Sequence, residues 1–384
     1  MKIKNRGVNT ICTHNGEVVD EQFGGSVSPI FVSTSYEYID KEISRYPRYF
    51  NTPNQEALCK KISALECSES AMIFGSGMAS ISTTLLAFLS TGDHILLQKD
   101  IYGGTRNLVE AQFNRFDIDF CFTDGVDLKY FESSIRENTK VIYIETPSNP
   151  LLKIVDIEKI VQFAKSKNII TIIDNTFATP IIQKPILLGV DIVLHSATKY
   201  FGGHSDISAG AVAGSQAHID KIWNLAKNLG GNLSDYSVWL LERSMKTLSI
   251  RFKAQQKNAN KLAKYLSESS LVKKVYYPGL KNHPNHLLAK KQMKGYGAII
   301  SFEFIDKIDP KLFLSSLDLI KPSMSLAGVE STMLSPSETS HYLLTNEDRL
   351  SQGITNELIR FSVGIENKKD IIKDIDQAIK RSIK

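Results

Sequence analysis

The residues with chemical potential gather around one lysine. In Asp191-Ile-Val-Leu-His-Ser-Ala-Thr-Lys-Tyr-Phe-Gly-Gly-His-Ser205 an apolar run ends and drops Lys199 into a turn rich in Ser, Thr and Gly. A lysine held there is partly desolvated, which lowers its pKa and makes its amine nucleophilic. The hydroxyls of Ser196 and Thr198 beside it are suited to a phosphate. Lysine, hydroxyls and a strand's carboxyl end suit a Schiff base with pyridoxal phosphate; the plainer alternative is a surface lysine in a turn. Asp174 closes the apolar run 169–173, 25 residues before the lysine. Pyridoxal phosphate needs an anion at its ring nitrogen to keep it protonated, so that the ring absorbs carbanion charge. Alone, Asp174 reads more simply as a helix N-cap.

A third element is Phe74-Gly-Ser-Gly-Met-Ala79, an apolar run entering a Gly-rich turn before a helical stretch. Backbone N–H groups at such a helix start bind phosphate. Ser80 stands where a dinucleotide fingerprint needs glycine, and the spacing is not that of a serine-hydrolase elbow. Tyr102, before Gly103-Gly104, has the type to stack on a cofactor ring. No His/Asp/Glu spacing reads as a metal site, so His195 and His204 are taken as structural.

These residues need a frame. Short apolar runs at 71–74, 94–98, 118–122, 141–145, 169–174, 191–195 and 210–213 give seven candidate strands. Amphipathic stretches at 54–65, 76–89, 106–113 and 157–167 lie between them. Buried strands alternating with helices predict an α/β class, a mostly parallel, doubly wound sheet. Residues 1–50 hold turn formers and weak periodicity and read as an extended arm. Residues 51–247 carry the motifs and the sheet. Residues 248–384 change texture: a long helical pattern at 251–266, strand candidates at 272–277, 298–304 and 358–363, and a terminal helix at 368–384. That predicts a smaller α+β C-terminal domain.

Composition narrows the class. In 384 residues, 46 Lys+Arg stand against 41 Asp+Glu, and 42% of residues are hydrophobic, so the chain is globular and not disordered. The lysines fall in separated pairs, which reads as solvated surface and not as a nucleic-acid interface. No apolar run is long enough for a membrane span, and the basic start leads into no signal-peptide core. Four cysteines without a CxxC make no disulfide framework, and a cytoplasmic setting is expected.

At this point the motifs resemble those of the pyridoxal-phosphate enzymes of Cys/Met metabolism: cystathionine γ-synthase, the cystathionine β- and γ-lyases, methionine γ-lyase and the acylhomoserine sulfhydrylases. The lysine segment resembles the family's signature over its full length. Collinear with it are Tyr46-x-Arg48, Ser76-Gly-Met78, Tyr102-Gly-Gly-Thr105, Glu145-Thr-Pro-Ser-Asn-Pro150, Asp174-Asn-Thr-Phe-Ala-Thr-Pro180, Ser325-Leu-Ala-Gly-Val-Glu-Ser331 and Arg360-Phe-Ser-Val-Gly-Ile-Glu366.

The resemblance implies a type I aminotransferase-like fold with a seven-stranded, mostly parallel sheet. It implies β/γ-elimination or γ-replacement at C–S or C–O bonds of sulfur amino acids or their precursors. Lys199 would hold pyridoxal 5'-phosphate and move protons. Asp174 would pair with the pyridinium, and Gly77, Met78, Ser196 and Thr198 would bind the phosphate. Tyr46 and Arg48 would bind it from a neighbouring subunit, in a homo-oligomer expected to be a dimer of dimers. Tyr102 would stack on the ring and assist the leaving group, and Glu145 would support the cofactor's hydroxyl region. Arg360 would grip the substrate's α-carboxylate, helped by Asn149 and Ser325.

The chain also departs from the family. Met324 stands where γ-specific members carry an acid before the serine, so a distal ammonium loses its expected partner. Arg106 comes four residues after Tyr102, where those members place arginine at five; here Asn107 holds that place. Gly104 stands where methionine γ-lyases often have cysteine. Lyase and synthase chemistry share a first step and stay open at this level. An aminotransferase on the same fold and a non-catalytic relative are the alternatives from other classes.

Overall fold

Runs such as Ile-Thr-Ile-Ile-Asp and Val-Ile-Tyr-Ile-Glu are rich in β-branched and aromatic side chains and apolar on both alternating sets, so they need cover on both faces. The computed structural model describes residues 6–339, 342 and 345–384. Its seven-stranded sheet comprises β1 (Ser70–Phe74), β2 (His94–Leu97), β3 (Asp119–Phe122), β4 (Thr139–Glu145), β5 (Ile170–Asp174), β6 (Ile192–His195) and β7 (Gly210–Gly214), in the order β1-β7-β6-β5-β4-β2-β3. The strands β3, β2, β4, β5 and β6 are parallel, and β7 is antiparallel to both its neighbours. The fold is α/β, as the spacing of the apolar runs predicts.

Both faces are covered. Val141 and Tyr143 of β4 pack with Ile172, Leu194, Val212, Ile81 and Leu85 on one face, while Ile142 and Ile144 pack with Ile157, Ile160 and Val161 on the other. Four helices come first in the chain: α1 (Val8–His14), α2 (Pro53–Glu66), α3 (Gly77–Phe88) and α4 (Gly103–Gln112). Thr52 caps α2 in a reciprocal box with Gln55, and the Ser76 side chain caps α3 by accepting from Ala79 N.

A long helix, Leu248–Glu268, leads to the second sheet, of order β10-β11-β12-β9-β8. Its strands are β8 (Val272–Tyr276), β9 (Ile299–Phe304), β10 (Lys321–Pro322), β11 (Thr332–Leu334) and β12 (Leu358–Ser362). The sequence reading finds three of these five; β10 and β11 have two and three residues and show no alternation. It also misses α1 in the expected arm. Seven residues are too few for a helical period, and α1 is held by burying Ile11 and Cys12 against Leu58 and Ile62. Residues 1–5 of that arm lie outside the described residues. Among the described residues no helix is long and apolar enough to cross a membrane, and no cluster of His, Cys, Asp and Glu is placed to hold a metal.

Candidate active site

Parallel strands bring their carboxyl ends to one edge. Glu145 lies opposite Asp174 in register, and Asp174 lies opposite Leu194. Past β6 the chain turns sharply: Lys199 N donates to Ser196 O at 3.0 Å and Gly203 N donates to Lys199 O at 2.7 Å. Lys199 therefore stands over the same edge as the two acids. All three line a cavity of about 660 Å³, together with Ser76, Gly77, Met78, Tyr102, Asn149, Ser196, Thr198, Met324 and Arg360.

The start of α3 forms one wall. Ser76 caps Ala79, which leaves the N–H groups of Gly77 and Met78 without helical partners at the positive end of the helix. A Cβ on Gly77 would sit 3.0 Å from the Ser196 hydroxyl, so only glycine keeps this cradle open. Ser196 offers its hydroxyl there. Thr198 also lines the cavity, but its hydroxyl is engaged by Ala209, donating to O at 3.1 Å and accepting from N at 3.0 Å. Gly104 is constrained in the same way: a Cβ there would lie 2.4 Å from the Tyr102 ring and 3.0 Å from Met78 Sδ. The Tyr102 ring is thereby laid along the wall, and the Tyr102 backbone N–H donates to Glu145 Oε2 at 2.7 Å.

The charges of the site are incompletely paired. Arg360, on β12, is 4% exposed, and no carboxylate lies within ion-pair distance of it among the described residues. Its Nη1 donates to Asn149 Oδ1 at 3.1 Å and its Nη2 to Ser325 O at 3.4 Å. Burial lowers its pKa to about 10. Burial, then the charge of Arg360, lowers the pKa of Lys199 and favours the neutral, nucleophilic amine. Burial raises Asp174, against the hydrogen bonds from Thr176 and the charge of His195. Burial, then Asp174, raises Glu145 well above the usual carboxylate range, against the N–H groups of Tyr102 and Asn149.

A buried acid held by Thr176 but without a direct cation, a buried guanidinium without a carboxylate and a helix start with free N–H groups fit one ligand set. Pyridoxal phosphate brings a cationic ring nitrogen for Asp174, a phosphate for Gly77, Met78 and Ser196, and an aldehyde for Lys199. An amino-acid carboxylate answers Arg360.

Ser325 stays outside the cavity lining and serves through its carbonyl. Tyr46 and Arg48 are not brought to this cavity: Arg48 donates to Lys227 O and lies over the rings of Tyr46 and Tyr49. Residues that the sequence reading leaves unassigned join the site. Thr176 anchors Asp174, donating its N–H to Oδ1 at 2.9 Å, while its Oγ1 accepts from Ser196 N at 2.8 Å. Arg106 and Glu110 line the outer cavity as an ion pair at 2.9 Å, and the Arg106 guanidinium lies 4.3 Å from the Phe122 ring centroid. The sequence reading names Arg106 but not Glu110, whose four-residue spacing from it on α4 is the signal that could have found the pair.

Comparison with known proteins gives the family. The family model for "Cys/Met metabolism PLP-dependent enzyme" matches residues 9–380. The chain is 41% identical over 373 residues to the cystathionine gamma-lyase of Bacillus subtilis (strain 168), covering 96% of this chain and 98% of that protein. It is also 41% identical over 379 residues to the cystathionine beta-lyase of Lactococcus lactis subsp. cremoris (strain MG1363), covering 97% and 99%. A crystal structure of cystathionine gamma-lyase from Lactobacillus plantarum complexed with L-serine superposes with a TM-score of 0.94 at 38% identity, covering 98% of this chain and 99% of that one. The chain belongs to the Cys/Met metabolism family of pyridoxal-phosphate-dependent enzymes.

Proposed function

We propose that this transsulfuration enzyme is a lyase that breaks a C–S bond of cystathionine-type thioether amino acids. The observation that carries the proposal is the Arg106–Glu110 pair in the outer cavity. Cystathionine ends, far from the reacting carbons, in a second ammonium and carboxylate. A guanidinium and a carboxylate side by side complement that zwitterion, and Met324, which lines the same cavity, offers apolar contact to the thioether chain. The acid expected at position 324 is thus replaced from another element. The curated relatives at 41% identity, named as cystathionine lyases, support the same reading.

The chemistry assigned to each residue follows from its place. Pyridoxal phosphate supplies the electron sink for negative charge at Cα. Arg360 takes the α-carboxylate in a two-pronged pair and fixes the amino-acid end. The Lys199 amine, facing that end, removes the Cα proton and carries it onward. Asp174 would hold the positive ring nitrogen, and the Gly77, Met78 and Ser196 groups would hold the phosphate. Tyr102, in the cavity lining and half-exposed, would stack on the ring and assist the departing thiol. The C–S bond breaks with its electron pair on sulfur, which leaves as a thiol.

We also propose that the enzyme is a homo-oligomer working in the cytoplasm. Phe23, Tyr38 and Ile39 in the arm are 83%, 75% and 69% exposed, an apolar stretch suited to packing on a second copy. Tyr46 and Arg48 at its end would then serve the neighbour's phosphate. The four cysteines are free, which suits a reducing compartment.

The test of the substrate assignment is Glu110→Gln, assayed with cystathionine and with methionine, whose thioether carries only a methyl. KM for cystathionine should rise about tenfold, the weight of one exposed-to-half-buried charge contact. An equal change for both substrates would refute the role of Glu110 in reading the distal end.

A further inference from the structure

Behind the acids and the lysine, on the face of the sheet away from the cavity, runs a buried chain of polar side chains. Glu66, the last residue of α2, is fully buried, and its Oε1 lies 2.5 Å from His195 Nε2. The same oxygen accepts from Asn175 Nδ2 at 3.1 Å. Asn175 Nδ2 also donates to Gln183 O at 3.1 Å, and Gln183 Nε2 donates back to Asn175 Oδ1 at 3.0 Å. Gln183 Nε2 reaches on to Thr146 O at 2.8 Å.

Each backbone position tied by this chain adjoins a residue of the site. Thr146 follows Glu145, the last residue of β4. Asn175 follows Asp174, the last residue of β5. His195 ends β6 and precedes the Ser196–Lys199 turn. A carboxylate sunk in the interior, with its Oε2 lacking any partner, is costly to keep, and packing alone does not require it. The β5 and β6 ends are also joined by Ser196 N donating to Thr176 Oγ1 at 2.8 Å on the cavity side and by Asn175 N donating to Leu194 O at 2.9 Å at the sheet edge. Glu66 adds a side-chain link, from the rear, between the segments that carry Asp174 and Lys199.

We propose that Glu66 is a positioning residue for the reaction. By accepting from His195 and Asn175 at one oxygen it fixes the spacing between Asp174 and Lys199, and so between the cofactor ring and the amine that moves the proton. Arg360 comes from β12 on the second sheet and meets the tethered segments through Asn149, so capture of the substrate carboxylate depends on the tether less than proton transfer does. The inference is independent of which thioether is cleaved.

The experiment is Glu66→Ala and Glu66→Gln in the cofactor-loaded, full-length enzyme, read by kcat, KM and the circular dichroism of the bound cofactor's visible band. Glutamine keeps an oxygen for both donors; alanine keeps none. Alanine should lower kcat about ten- to a hundredfold, the scale of a misplacement near 1 Å, with KM within about twofold and the visible dichroism reduced. Glutamine should restore both signals to within about threefold of the parent. A folded Glu66→Ala enzyme with parental kcat and dichroism would overturn the proposal, as would a loss shared equally by kcat and KM. If Glu66→Ala does not fold, Asn175→Ala removes only the β5 arm and is judged by the same two signals. Failure of both to take up cofactor would also overturn it and assign the cluster to stability.

Discussion

Replacing Arg360 with Ala tests the pairing that places the substrate. Arg360 is buried on β12 and donates to two neutral acceptors, Asn149 Oδ1 and Ser325 O. Its charge awaits a carboxylate. Truncating one partner of a buried, hydrogen-bonded charge pair costs roughly 2–5 kcal/mol, and each 1.4 kcal/mol is a factor of ten. Asn149 stays to solvate part of the carboxylate, so we place the loss in the middle of that range. That corresponds to a fall in kcat/KM of roughly 300-fold, mostly in KM. Arg360→Lys keeps the charge but not the fork and should recover part of it. Stability should change little, because relief of an unpaired buried charge opposes the new cavity and the donors lost to Asn149 and Ser325. A second consequence is independent of turnover. Arg360 is the charge that helps hold the Lys199 pKa down. Without it the pKa rises, so cofactor-free enzyme should need a higher pH to capture pyridoxal phosphate at half its maximal rate. The assays are steady-state kinetics on a thioether amino acid and stopped-flow capture across pH. A KM unchanged within about threefold, with the same capture midpoint, refutes the reasoning.

Lys199→Ala should abolish the covalent link to the cofactor; borohydride reduction followed by mass spectrometry should find no adduct, and one that persists would remove the role given to this lysine. Met324→Glu adds a carboxylate to the cavity that the Arg106–Glu110 pair lines and should alter the ratio of kcat/KM for cystathionine over methionine, in favour of cystathionine; a constant ratio would show that the distal end is read elsewhere. His94 is fully buried, and burial depresses its pKa to about 4 from 6.5. The unfolded chain binds that proton more tightly, so the neutral ring's contribution is full above about pH 6.5 and is lost as pH falls toward 4, about 3 kcal/mol at most. Urea unfolding from pH 7 to 5 should show a shallower loss for His94→Gln than for the parent.

Much of the site is legible because its parts are contiguous. Lys199 and its hydroxyls stand in one turn, Ser76-Gly77-Met78 in another, and Asp174 at the end of an apolar run. Strand alternation and helix spacing then give the sheet that aligns them. What the sequence hides is pairing at a distance. Glu66 meets His195 across 129 residues and Asn175 across 109, and neither spacing carries a local signal. The role of Arg360 is visible only through resemblance, since a lone arginine in an apolar strand says nothing until β12 lays it beside Asn149. The Thr198 hydroxyl illustrates the opposite case. Its type and place suit a phosphate, yet folding gives it to the Ala209 backbone. Short elements fail for a simpler reason: α1, β10 and β11 are too brief for any period to show.

The most direct measurement is product analysis of the cofactor-loaded enzyme given cystathionine alone and, separately, an O-acylhomoserine with cysteine. The account predicts an oxoacid and a free thiol from cystathionine, formed at least about tenfold faster, one decade in kcat/KM, than any thioether made from the acyl ester. Turnover of the acyl ester to a thioether with cystathionine left intact would contradict it and make the outer charge pair part of a synthase.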